Sequence, residues 1–160
     1  MIDGFPRVVA TTAAIAAAVN AGVFFAFSTF VGRALIDLPA SQGIATMQSI
    51  NRRAPTPWFM LLFMGTALLA VVSIAVGIGR WSEVWGAYVV IGGALYLVSI
   101  VMTAAYHQPR NLALDDVDAN GPDAAATWTA YIHPWIAWNH VRTLVCIGSA
   151  LAFVLSLRVD

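Results

Sequence analysis

Trp58-Phe59-Met60-Leu61-Leu62-Phe63-Met64-Gly65-Thr66-Ala67-Leu68-Leu69-Ala70-Val71-Val72-Ser73-Ile74-Ala75-Val76-Gly77-Ile78 runs without a single charged side chain. About twenty apolar residues, rising 1.5 Å each, cover the hydrocarbon thickness of a bilayer, so this stretch reads as a transmembrane helix. The same test applied outward finds three more spans, at about residues 8–35, 84–106 and 136–157, beside this one at 58–78. The expected fold is therefore all-α: one integral membrane domain over residues 1–160, built as a four-helix bundle.

Composition agrees. The chain has 160 residues, 60% of them hydrophobic and 10% charged, with a mean hydropathy of +0.79, whereas a soluble domain carries about a quarter charged residues. Net charge is zero, so no basic surface asks for nucleic acid and no acidic tail is present. All eight basic residues are Arg, which with the abundant Ala points to a high-GC bacterial genome. The first span is expected to be retained rather than cleaved, because Asn20 and the bulky Phe24, Phe25, Phe27 and Phe30 stand where a cleavage region needs small residues. Cys146 lies in an apolar run and reads as a small core residue.

The spans carry packing signals. Ala10, Ala14, Ala18, Gly22 and Ala26 recur every four residues and predict one close-packing face on the first span, as Gly148, Ala152 and Ser156 do on the fourth. Trp58, Trp81, Trp85, Trp135 and Trp138 fall at span ends, where an interfacial aromatic belt is expected. The first connection, from Pro39 to Arg53, predicts a short amphipathic helix at the interface through Ile44, Met47, Gln48, Ile50 and Asn51. The second connection, 107–135, is expected to start a helical segment near Gly121-Pro122-Asp123, leading through Trp128 and Tyr131 into the fourth span.

Four antiparallel spans bring the end of the first, the start of the second, the end of the third and the start of the fourth to one membrane face. Gln48, Asn51, Arg52, Arg53, His107, Arg110, Asn111, Trp138, Asn139, His140 and Arg142 all belong to that face, and the opposite turn offers Arg80, Ser82 and Glu83. A polar group at the edge of an apolar span is costly enough to mark a candidate site. In the fourth span Trp135, Asn139 and Arg142 share a face at four- and three-residue spacing with Trp138 beside them, while His140 is turned about 100° away toward Ile136 and Leu144. Helix N-termini and Arg142 together favour an anionic or enolate-like ligand.

Metal binding is the alternative to weigh. His133 and His140 stand about 10 Å apart along a continuous helix, too far to share one ion, so His107 with His140 is the more plausible pair, with His133 admitted if Pro134 breaks the helix. Neither carboxylate nor Cys lies beside them at ligand spacing. The primary expectation is therefore no cofactor, and a His-bound transition metal is the alternative. The Asp115, Asp116, Asp118 cluster lacks the glycine and terminal Glu of a calcium loop and reads as solvated. No nucleotide-binding glycine motif, nucleophile elbow or zinc-protease motif occurs.

Ala21-Gly22-Val23-Phe24-Phe25-Ala26-Phe27-Ser28, Met47-Gln48-Ser49-Ile50-Asn51, Pro109-Arg110-Asn111-Leu112-Ala113-Leu114 and Trp138-Asn139-His140-Val141-Arg142-Thr143, taken in this order, resemble the DUF1772, or anthrone-oxygenase-like, membrane family. Arg110 departs from the family pattern, which has a hydrophobic residue between the Pro and the Asn. The resemblance implies oxidation of an anthrone- or hydroquinone-type aromatic with molecular oxygen, without metal or flavin. On that implication His107 or His140 is the base that removes the acidic benzylic proton. Arg142, Asn139, Asn51 and Asn111 then hold the developing oxyanion, with Gln48 beside them. Trp135, Trp138 and the Phe24–Phe30 aromatics stack on a flat substrate delivered from the bilayer.

The competing reading is a non-catalytic small-molecule or lipid-binding bundle, or an accessory membrane subunit. Arg33, Arg52, Arg53, Arg110 and Arg142 outnumber Arg7, Arg80 and Arg158, so the positive-inside rule places the polar face in the cytoplasm of a bacterial inner membrane. The small-residue stripes also permit a homo-oligomer.

Overall fold

A computed structural model describes residues 2–159, and these are helical with no strand. Five helices follow one another: α1 (Gly4–Ile36), α2 (Ala40–Arg53), α3 (Pro57–Ile78), α4 (Val84–Asp115) and α5 (Ala124–Ser156). All but α2 are long and apolar enough to cross a membrane, so the chain is an integral membrane protein. Helix α5 packs against α1 and α4, and α3 closes the ring by packing against the same two. This up-down-up-down order follows from short connections between antiparallel neighbours. Helix α3 starts sharply because Thr56 Oγ1 accepts from the Phe59 N–H at 3.2 Å and Pro57 occupies the first turn, where its missing N–H costs nothing.

Between α3 and α4 the backbones almost touch. A Cβ on Gly93 would stand 2.6 Å from the Ala70 carbonyl oxygen, and one on Gly77 would stand 2.6 Å from that of Gly86. Such contact is how helices gain packing energy in a lipid setting, where apolar burial gives no preference for protein over lipid. In α1 the expected Ala10–Ala26 stripe is corrected. Ala10 and Ala14 are buried but Ala18 and Gly22 are exposed, and the inward row instead runs Ala10, Ala13, Ala14, Ala17, Ala21, Phe24. Strict four-residue spacing drifts about 40° per step around a helix, whereas alternating three and four stays on one face. Trp85 and Trp135, expected in the belt, are core residues at 3% and 4% exposure, while Trp58 and Trp81 are exposed at their helix ends.

The third and fourth spans are longer than expected, so the second connection is short. Helix α4 continues past 106 to Asp115, and α5 begins at Ala124 rather than 136, running through Pro134. Proline normally ends a helix by removing a donor. Here Pro134 and Ala130, whose carbonyl loses that donor, are exposed, while Tyr131, Ile132 and Trp135 on the other side are held in a cluster with Leu35, Ile44, Met47, Leu114 and Trp128. At 33 residues α5 is about 50 Å long, well beyond a hydrocarbon core of about 30 Å. Its first turns, the end of α4 and the amphipathic α2 therefore form a cap on one end of the bundle. Gly43 seats α2 there: a Cβ would stand 2.6 Å from the Trp128 indole.

Two short segments inside the long helices open into the wider π turn, Phe27–Val31 in α1 and Thr103–His107 in α4. Single π turns recur at functional sites because they re-aim side chains and free backbone groups. Both lie at the capped end of the bundle.

Candidate functional site

Asn139 is the centre of the polar cluster under the cap and is fully buried. Its Nδ2 donates to the Phe24 carbonyl and to Ser28 Oγ, both at 2.8 Å, and its Oδ1 accepts from Arg142 Nη2 at 2.5 Å and Nε at 3.2 Å. Arg142 Nη1 donates to Thr103 Oγ1 at 3.2 Å, and the guanidinium lies 4.0 Å over the Phe24 ring. Ser28 and Thr143 share a hydroxyl contact of 3.0 Å, and Thr143 Oγ1 donates to the Asn139 carbonyl. Helices α1, α4 and α5 thus each contribute to one connected network.

Arg142 is 7% exposed, and among the described residues no carboxylate approaches it within ion-pair distance. Taking an isolated cation out of water costs several kcal/mol even after relaxation, and this one is met only by neutral oxygens and an aromatic face. A positive potential is therefore built into the bundle with nothing negative to cancel it, the arrangement that stabilises an anion.

Around Trp135 a second set assembles. Its indole N–H and the Tyr131 hydroxyl both donate to Asn111 Oδ1 at 2.9 Å. The His107 ring stands edge-on to Trp135 at 5.3 Å, while Arg142 Cζ lies 5.9 Å from the same indole. His107 is 1% exposed, with Nδ1 3.3 Å from the Met102 carbonyl and Nε2 without a hydrogen-bond partner. A carbonyl can only accept, so the proton sits on Nδ1 and Nε2 presents its lone pair. The π turns take part: Phe24 O, three residues before the first, is bound by Asn139, and Met102 O, immediately before the second, is bound by His107.

The structure thus brings together Trp135, Asn139, Arg142, His107 and Asn111. Trp138 lies at the rim, half-exposed, against Tyr106 at 5.0 Å, with Arg110 4.0 Å over the far ring. Gln48 is spent on structure, donating to the carbonyls of Leu114 and Val117 at 2.9 Å and fastening α2 to the end of α4. Asn51, on the same helix, has a buried Nδ2 without a partner. Arg52 pairs with Asp115 at 3.6 Å. His140 is exposed and faces away from the cluster into an open groove of about 480 Å³ between α1 and α5. His133 is exposed as well, and among the described residues no three His, Cys, Asp or Glu side chains gather as a metal-holding group.

Sequence reading missed Ser28, Thr103, Thr143 and Tyr131. Tyr131 and Thr143 carried a signal, since they lie four residues before Trp135 and four after Asn139 on the same face of α5. Ser28 lay inside a stretch quoted for the family resemblance, but neither it nor Thr103 carried a signal by spacing, because a lone hydroxyl in an apolar helix usually bonds back to its own turn.

A family model described as Anthrone oxygenase matches residues 57–152, more than half of the chain, covering α3, α4 and most of α5. No curated protein and no solved structure matches the chain.

Proposed function

The chain belongs to the anthrone oxygenase family, and from that premise we propose that it is a membrane oxygenase acting with O2 on a hydrophobic anthrone- or hydroquinone-type aromatic at the capped end of the bundle. The observation that carries the reading is the buried Arg142 guanidinium, which among the described residues meets no carboxylate, with His107 Nε2 close by and without a hydrogen-bond partner among them. One group asks for an anion and the other can make one.

For a benzylic substrate the reaction is Ar2CH2 + O2 → Ar2CO + H2O. His107 Nε2 takes the first benzylic proton, and the resulting enolate oxygen is held by the Arg142 guanidinium, which Asn139 Oδ1 orients. The electron-rich anion passes one electron to O2, and the two radicals combine into a C–O–O bond. His107 returns its proton to the terminal peroxide oxygen and then takes the remaining benzylic proton, which breaks the O–O bond, forms the carbonyl and expels hydroxide; the hydroxide leaves as water with that second proton from His107. Trp135 and Phe24 supply flat apolar surfaces beside the reacting ring. In this reading the chain's own residues and O2 suffice, without a metal or flavin. The chain works in a bacterial inner membrane with the capped end in the cytoplasm, alone or as a homo-oligomer.

Oxygen uptake by the purified protein on adding an anthrone tests the proposal. His107→Gln is expected to slow turnover by about 10²-fold or more, the usual weight of a general base. No uptake above buffer, or full turnover by the variant, overturns it. A second reading, a non-catalytic binder of a hydrophobic molecule, is favoured by the groove at His140, and it predicts binding with no uptake.

A further inference from the structure

The groove on the outer surface of α1 and α5 has a construction that the buried cluster does not explain. Ser28, Thr29, Phe30 and Arg33 line it from α1, and Ile136 and His140 from α5. Its depth can be read from contacts across the helix pair. Ser28 meets Asn139 and Thr143, whereas Gly32 is seated on Ile136, so close that a Cβ there would stand 2.9 Å from Ile136 Cδ1. The helices run in opposite directions, which puts Thr29 and His140 on an inner rung and Arg33 and Ile136 on an outer one. The rungs are one turn apart, roughly 5–6 Å along the axis.

Both rungs offer polar hydrogens to an otherwise apolar wall. Arg33 is exposed, and no carboxylate lies within ion-pair distance of it among the described residues. The Thr29 hydroxyl is committed to the Phe25 carbonyl at 2.8 Å, which leaves the His140 imidazole as the donor of the inner rung. Phe30, 67% exposed, and Ile36 supply apolar edges. An arginine alone at this level would be explained by reaching for lipid headgroups. An imidazole one turn deeper, facing outward from an apolar helix surface, is not.

We propose that this groove binds, from the side, a flat hydrophobic molecule bearing two oxygen functions about one helical turn apart. Arg33 holds the outer, acidic oxygen and His140 the inner one, while Phe30, Ile36 and Ile136 cover the ring faces. Ser28 forms the wall shared with Asn139, so a molecule seated there stands one side chain from the field of Arg142. That the molecule passes from this groove to the Arg142 and His107 cluster for oxidation rests on the oxygenase reading; that it binds in the groove does not.

Anaerobic equilibrium binding of a dihydroxyanthraquinone, already oxidised and so unable to turn over, to the protein in phosphatidylcholine nanodiscs tests the proposal. Arg33→Gln is expected to weaken binding about tenfold or more, the size of one charge-assisted hydrogen bond, and His140→Leu about fivefold, the size of an ordinary one. Unsubstituted anthraquinone should bind the wild type correspondingly less well. His133→Gln, exposed on the same helix and outside the groove, should stay within about twofold, and thermal unfolding of all three variants checks that they fold. Binding that is absent, or equal in wild type and groove variants, overturns the proposal. So does Arg33-dependent displacement of the probe by phosphatidylglycerol, which would make the groove a lipid headgroup site. Binding as expected with no aerobic oxygen uptake retains the groove and removes the oxygenase reading; uptake with an unchanged KM in both groove variants does the reverse.

Discussion

Replacing Asn139 by Leu should be far more damaging with Arg142 present than without it. Asn139→Leu removes two donated bonds of 2.8 Å to Phe24 and Ser28 and two accepted from the guanidinium. Arg142 would keep only Thr103 Oγ1 and the Phe24 ring while remaining buried. Stranding a buried charge costs about 3–5 kcal/mol. Arg142→Met leaves Asn139 Oδ1 unpaired, about 1–3 kcal/mol, and regains part of this because a cation no longer has to be desolvated. In the Arg142→Met background the further change Asn139→Leu removes an amide that has already lost its charged partner and should cost about 1–2 kcal/mol. The cycle therefore predicts a coupling of about 2 kcal/mol, within the range for groups in one network. Equilibrium unfolding of the four proteins in mixed micelles measures it. If the single changes add to within about 0.5 kcal/mol, the Arg142 charge is compensated elsewhere, and the argument for an anion at this site fails.

Gly43→Leu should lift α2 off α5, since even a Cβ meets Trp128 at 2.6 Å; the expected cost is about 1–3 kcal/mol, with faster tryptic cleavage after Arg52 and Arg53, and an unchanged digest would refute it. Gly93→Val should destabilise by a similar amount, about 1–3 kcal/mol, because the clash is with the Ala70 backbone, whereas Gly65→Ala, with open space beside it, should not. Thermal unfolding distinguishes the pair. In the turn at the other end, the Glu83 carboxyl is held below its ordinary range, first by the Trp85 indole N–H and then by Arg80. A lowered folded value means that its contribution is full above the ordinary carboxylate pKa of about 4.3 and is lost as pH falls through the folded value. Glu83→Gln should therefore lack that acid-dependent increment in an unfolding series, and an identical acid profile would rule the contact out.

The four crossing helices and their shared polar end were legible because apolar length and antiparallel alternation leave little choice. Trp135, Asn139 and Arg142 were found on one face by helical period alone, and the structure places all three inward. The lengths of α4 and α5 were not legible. Pro134 was admitted as a break, but it is carried by the packing of its neighbours in the cap, and Pro109, beyond the expected end of the third span, falls in the first turn after a π segment. Nor could the sequence separate His107 from His140. Helical period turned His140 away from the Asn139 face, but the burial of His107 against Trp135 depends on the π turn that carries it, which the sequence did not show. The belt expectation failed for Trp85 and Trp135 because span-end position says nothing about which side of the helix faces a neighbour.

Each π turn holds one residue more than a regular helix needs. Deleting a single residue from Phe27–Val31 would close it into an ordinary helix and leave the segment beyond it facing as it does, with Arg33 on the groove and Gly32 on Ile136, because the wide turn had absorbed the extra residue. The same loss in Thr103–His107 would leave Asn111 against Tyr131 and Trp135. A deletion in the regular turns on either side would instead swing the whole outer segment by about 100°. The π turns are therefore the two places in these long helices where a residue can be lost without re-aiming the capped end.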